Sequence, residues 1–150
     1  MAVRVQAEDF DVAAETEKLT AGRTEIGAIV TFTGRVRGND GDRQIAALTL
    51  EHYPDMTEAE LARIEAEAQA RWSLQASLIV HRVGELKAGD NIVLVVTASA
   101  HRQDAFEAAG FLMDYLKTRA PFWKKETTAS GESAWVEARG SDAELAKRWT

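Results

Sequence analysis

"IGAIVTFTGRVRGNDGDRQIAALTLEHY" (residues 26–53) is the stretch on which the fold turns. Residues 26–37 are rich in β-branched side chains and read as a strand, in which Gly27 and Gly34 permit a close approach or a bulge. "GNDGD" (38–42) is a turn-forming loop of the kind that joins hairpins, and "QIAALTLEHY" (44–53) is the expected returning strand. Strand pairs joined by short turns, with helices between some of them, point to the α+β class and away from a doubly wound sheet.

Working outward, "VRVQ" (3–6) reads as an edge strand and residues 9–20 as a helix. After Pro54, Thr57 and Glu60 have capping-box spacing, and Leu61, Ile64, Ala68 and Trp72 recur at helical intervals, so this helix is expected to run to about Trp72. "LQASLIVHRVG" (74–84) and "NIVLVVTASA" (91–100) are two further strands, separated by the polar turn "ELKAGD" (85–90). A long helix is expected over 102–119, with Ala105, Ala109, Leu112 and Leu116 as its core stripe, flanked by Phe106 and Met113. Pro121 forces Ala120 out of helical geometry and ends it. "FWKKETT" (122–128) and "AWVEA" (134–138) then read as strands around the turn "ASGES", and "SDAELAKRW" as a short last helix. The expectation is a single domain over 1–150, with a mainly antiparallel sheet, two principal helices and shorter ones.

Composition narrows the chemistry. A chain of 150 residues, 45% of them hydrophobic, suits one compact core. It has no cysteine, which excludes disulfides, thiolate metal sites and a protein thiol or persulfide as sulfur carrier. His52, His81 and His101 are too far apart in sequence to form a local metal motif, so neither metal nor cofactor is expected. The net charge of -6 argues against nucleic-acid binding through a broad basic face. No apolar run approaches the ~20 residues that span a bilayer, and "MAVRVQAEDF" lacks an apolar leader core; a cytoplasmic protein without membrane contact is expected. No P-loop or GxGxxG turn is present. In so acidic a chain, clustered cations become informative.

Four clusters stand out. In "GRVR", Arg35 and Arg37 share one face of a strand end while Val36 points the other way; they suit either an anion or a solvated hairpin tip. In "SAHRQDAF", His101 and Arg102 stand at a helix N-terminus, where free N–H groups favour an anion and an arginine gains nothing from the dipole. "HRVG" (81–84) repeats the His-Arg dipeptide with no other chemistry nearby and reads as structural or interfacial. Lys117 falls on the Phe106–Gly110–Met113 side of its helix, which suggests a partly buried ammonium, although a lysine also suits the dipole of a last turn. In "PFWKKET", an extended chain points Phe122, Lys124 and Glu126 one way and Trp123, Lys125 and Thr127 the other. One of Lys124 and Lys125 is then a site residue and the other a surface residue, and periodicity leaves open which.

Six ordered motifs, "FTGRVRG", "LTLEHYPDM", "VHRVGELKAGD", "SAHRQDAFEA", "MDYLKTRAPFWKKE" and "WVEA", closely resemble the catalytic (large) subunit of molybdopterin synthase over about residues 25–139. The resemblance implies an α/β-hammerhead-like fold and a sulfurtransferase reaction of molybdenum-cofactor biosynthesis. In it, cyclic pyranopterin monophosphate (precursor Z) becomes molybdopterin by gaining two dithiolene sulfurs. The implied donor is the C-terminal Gly-Gly thiocarboxylate of a small ubiquitin-like sulfur-carrier subunit. The implied assembly is a homodimer of large subunits within a heterotetramer. The resemblance also implies substrate-binding roles for Arg35, Val36, Arg37, His101, Arg102, Lys117, Lys124, Lys125 and Glu126, with Lys117 and Lys124 as the catalytic pair. Both implied substrates are anionic, which suits local cations, and a chain without cysteine needs an external sulfur donor. A non-catalytic dimeric module that binds an anionic metabolite or a partner's C-terminal tail would use the same cations. A metal-dependent hydrolase built on scattered His and carboxylates is a further alternative.

Overall fold

The structure, a computed structural model, describes residues 2–136 and 140–150. In chain order its elements are β1 (Ala2–Gln6), α1 (Val12–Thr20), β2 (Ala28–Arg35), β3 (Asn39–Asp40), β4 (Arg43–His52) and α2 (Met56–Arg71). These are followed by β5 (Leu74–Arg82), β6 (Gly84–Lys87), β7 (Asn91–Ser99), α3 (Arg102–Arg119), β8 (Phe122–Thr128), β9 (Ser133–Val136) and α4 (Gly140–Ala146), with a last 3-10 turn at Lys147–Trp149. Glu137 and Ala138, the end of the expected strand 134–138, lie outside the described residues. The class is α+β as expected, and all strand pairings but β1–β5 are antiparallel. No helix among the described residues is long and apolar enough to cross a membrane.

The strands form two sheets. One has the order β1-β5-β7-β2; in the other, β3, β4, β8 and β9 follow one another and β6 adds to β4. The unbroken apolar runs of β5 and β7 are explained by cover on both faces of the first sheet. Ile79, Val93 and Val95 point towards α2 and α3, where they meet Leu61, Ile64, Phe111 and Leu112. Leu78, Val80, Leu94 and Val96 point the opposite way and pack with Phe10 beneath α1.

The expected partnership of residues 26–37 with 44–53 does not form. β2 pairs with β7, from Ala28↔Ser99 to Gly34↔Val93, and the turn at 38–42 closes only the two-residue ladder between β3 and the start of β4. The chain changes sheets instead. Register shifts between Gly34 and Arg35, and Val36 then drops into a small core with Leu48, Leu50 and Leu86. The backbone of Val36 is tied to Asp90 and Gly89, so it lies beside the β6–β7 connection and not along β4. The expected turn at 85–90 is partly a strand for the same reason: β6 pairs with β4 and buries Leu86 opposite Leu48.

Two helix details also differ. Asp55, at φ 70°, precedes α2, so Thr57 is already inside the first turn and no capping box forms. Its buried hydroxyl accepts from the Tyr53 amide at 3.1 Å and donates to the Pro121 carbonyl at 3.3 Å, fastening α2 to the start of β8. In α3, Phe106 is 63% exposed; the apolar face turns through Ala108, Phe111 and Tyr115, because the helix packs on both the sheet and α2.

Gly27 shows how closely the chain ends of this sheet approach. A Cβ there would lie 2.2 Å from the Ala100 carbonyl oxygen, which is backbone and cannot step aside. Gly27→Ala should therefore cost about 1–3 kcal/mol, read as a lower urea midpoint with unchanged m-value.

Candidate active site

Residues from both sheets, α3 and α4 surround a cavity of about 470 Å³. Arg35, Val36 and Arg37 reach it from the end of β2, Lys117 from the last turn of α3, and Phe122, Lys124 and Glu126 from β8. His81 comes from β5 and Asp142 from α4. Four cations face three carboxylates (Asp40, Glu126 and Asp142) among the lining residues, so the cavity carries a positive excess in an acidic chain. Glu126 is further neutralised by an ion pair with Arg43.

Pro121 brings the two lysines together. With Ala120 at ψ 130°, α3 stops and β8 starts within two residues, so Lys117 and Lys124 enter the cavity from different elements. The alternation along β8 holds: Phe122, Lys124 and Glu126 line the cavity. Lys125 is on the other face, with its Nζ 5.8 Å from the centre of the Trp135 ring.

The expectation of a partly buried Lys117 is corrected, since that residue is exposed. The flank that suggested burial is not itself uniformly buried: Phe106 is exposed, and Arg148 and Trp149 cover it only at Gly110. The displaced pKa belongs to Lys124, which is lowered to about 8. Burial is the main cause, followed by the charge of Lys117 and a hydrogen bond with its amine, while Asp142 and Glu126 act in the opposite sense.

Other residues are held firmly. The Arg35 guanidinium donates twice to the Gly89 carbonyl, at 2.7 and 3.1 Å, and Val36 is buried as an apolar anchor between the two arginines. Arg37 is exposed at the rim. His101 and Arg102 are also exposed, at the N-terminus of α3, and do not line the cavity. They adjoin the start of β2, whereas Arg35 ends it, roughly 25 Å away at about 3.4 Å per residue.

The sequence reading missed three contributors. His81, taken as structural, lies in the cavity wall stacked on Phe122 at 3.8 Å. Asp142 and Arg43 carried no local signal, because each matters only through a residue distant in the chain.

With this geometry in view, comparison with known proteins gives one consistent answer. Residues 5–119 match the family model described as MoaE protein. The chain belongs to the MoaE family. It is 60% identical over 148 residues to the molybdopterin synthase catalytic subunit of Mesorhizobium japonicum, covering 98% of this chain and 92% of that protein. Among solved structures, the molybdopterin biosynthesis MoaE protein of Burkholderia ambifaria superposes with a TM-score of 0.84 at 51% identity, covering 99% of this chain and 98% of that one. The molybdopterin synthase of Staphylococcus aureus gives 0.81 at 33% identity, with 89% and 95% covered. The two-sheet arrangement described above is thus the MoaE fold.

The electrostatics of this MoaE-family cavity can be tested without substrate. Lys117→Ala removes a like charge and should move the Lys124 titration up from about 8, whereas Asp142→Asn should move it down. NMR of ¹³C-methylated lysines reads both shifts.

Proposed function

We propose that the protein is the catalytic subunit of a cytoplasmic molybdopterin synthase. It converts precursor Z to molybdopterin with sulfur from the C-terminal thiocarboxylate of a small ubiquitin-like subunit. The observation that carries this reading is the meeting of Lys117 and Lys124 in one cationic cavity, with Lys124 able to exchange a proton near neutral pH. The relatives' shared name, catalytic subunit, supports both the activity and a second kind of subunit.

The roles follow from position. Arg35 and Arg37 offer forked donors to a phosphate, and Glu126, braced by Arg43, accepts from N–H groups of the pterin. Each transfer replaces a carbon–oxygen bond of the pterin side chain with a carbon–sulfur bond, one oxygen leaving as the opened phosphate ester and the other as water, and breaks the acyl–sulfur bond of the tail. Water takes the acyl group, leaving the tail as a carboxylate. The Lys117 ammonium stabilises the oxyanions that develop, and Lys124 donates and recovers the proton.

His101 and Arg102 fit this reading through a second copy of the chain. β2 is an edge strand carrying exposed Ile29 and Phe32. Antiparallel pairing of two β2 strands about their centre would carry the second copy's His101 and Arg102 to the first copy's Arg35 and Arg37. Mixing inactive Lys117→Ala and Arg102→Ala dimers should then restore activity to about a quarter of the sites, whereas a site built within one chain would stay dead.

The direct test is turnover. Purified protein, thiocarboxylated small subunit and precursor Z should yield molybdopterin. Lys117→Ala and Lys124→Ala should each lower the rate ~10²-fold or more, with Lys125→Ala much milder. Binding of both substrates without product would instead identify a binding module, and loss of activity to a chelator would identify a metal enzyme.

A further inference from the structure

His81 is 3% exposed, yet it lines the cavity. Its ring is stacked on Phe122, 3.8 Å between centres and 15° from parallel. Nδ1 lies 2.8 Å from the Arg82 carbonyl oxygen, which can only accept, so Nδ1 carries the hydrogen. That leaves Nε2 as a bare lone pair. The stack and the bond to Arg82 account for the ring and for Nδ1, and leave Nε2 in the wall without a structural role.

The surroundings indicate what the lone pair is for. Burial above all, helped by the charges of Lys117 of α3, Lys124 of β8 and His52 of β4, pushes His81 down to about 3, so it stays uncharged across the working range. Arg35 and Arg37 supply further donors at the end of β2. The carboxylates of the wall are Asp40 of β3, Glu126 of β8, which is engaged by Arg43, and Asp142 of α4. A neutral acceptor set among donors can hold an ammonium without cancelling the charge that an anionic substrate needs. Lys124 is the ammonium placed to use it: it lies two residues beyond the stacked Phe122, on the same face of β8.

We propose that His81 is a positioning residue for Lys124: its imidazole, fixed as the Nδ1–H tautomer, presents Nε2 as the hydrogen-bond acceptor that aims the Lys124 amine into the cavity. An acceptor favours the charged form of its donor, so this contact would act with Asp142 and Glu126 against the burial that depresses Lys124. The inference rests on the proposed synthase reading for its kinetic consequence, but its structural content stands apart from turnover.

Three variants separate the ring's roles. His81→Phe keeps the stack and removes Nε2. His81→Gln returns an acceptor near Nε2, and His81→Asn places one only near Nδ1. In the substrate-free protein, His81→Phe should shift the Lys124 titration below 8, and His81→Gln should move it back towards the parent value. In the assay with precursor Z and thiocarboxylated partner, His81→Phe and His81→Asn should lower kcat about tenfold, with KM little changed and the matching pH-rate limb displaced to lower pH. His81→Gln should recover part of the loss. An unaltered Lys124 titration and kcat in a folded His81→Phe protein would overturn the proposal. So would imidazole ¹⁵N shifts of the unmodified protein reporting Nε2–H in place of Nδ1–H, a measurement that needs no variant to fold. Absence of turnover in the parent protein would overturn the synthase reading alone, because the lysine titrations would still test the role of His81.

Discussion

Pro121 has no amide hydrogen to give a helix, and its ring holds the preceding residue in extended geometry. α3 therefore ends at Arg119 and β8 begins at Phe122. The carbonyl of Pro121 is taken by the buried hydroxyl of Thr57, so the bend is braced from α2 and does not swing. The lysine pair of the cavity depends on that bend. The bend delivers Lys117 from a helix and Lys124 from a strand, and it sets Phe122 against His81.

The second constraint is electrostatic. A chain with six more acidic than basic groups gains no anion affinity from its overall field, so attraction has to be local. The protein concentrates cations where elements end and then moderates them: Asp142 and Glu126 keep Lys124 from falling further, and Arg43 draws off part of the Glu126 charge. The amine that results is poised for proton exchange, while a neutral imidazole beside it leaves the positive excess intact.

What was legible in the sequence is what local physics determines. The bounds of α3 and the break at Pro121 follow from periodicity and proline stereochemistry. Alternation along β8 separated Lys124 from Lys125, although only the resemblance told which faced inward. The choice of strand partner was not legible. Residues 26–37 and 44–53 look like hairpin neighbours, yet the chain leaves its ladder after Gly34 and Val36 packs into the small core against the other sheet. For the same reason β6 was read as a turn, since its only reason to be extended is β4. His81 looked inert because the residues that give it meaning arrive about forty positions later, and Lys117 looked buried because Phe106, which marked its flank as apolar on a helical wheel, is itself exposed.

The strand pairings have a consequence for how the molecule assembles. β1 meets β5 through pairs such as Ala2↔Leu78, β2 meets β7 through Ala28↔Ser99, and β4 meets β8 through Leu50↔Lys124. Each of these ladders closes a loop of more than fifty residues, and such closures must be completed before the contacts they enable can repay the lost chain entropy. Folding should accordingly be slow for a chain of this size. During synthesis on a ribosome, neither sheet can be finished until its late strands have emerged, so the nascent chain carries the unpaired edges of β1, β2 and β4 for most of its elongation, and these edges are where a chaperone would find it.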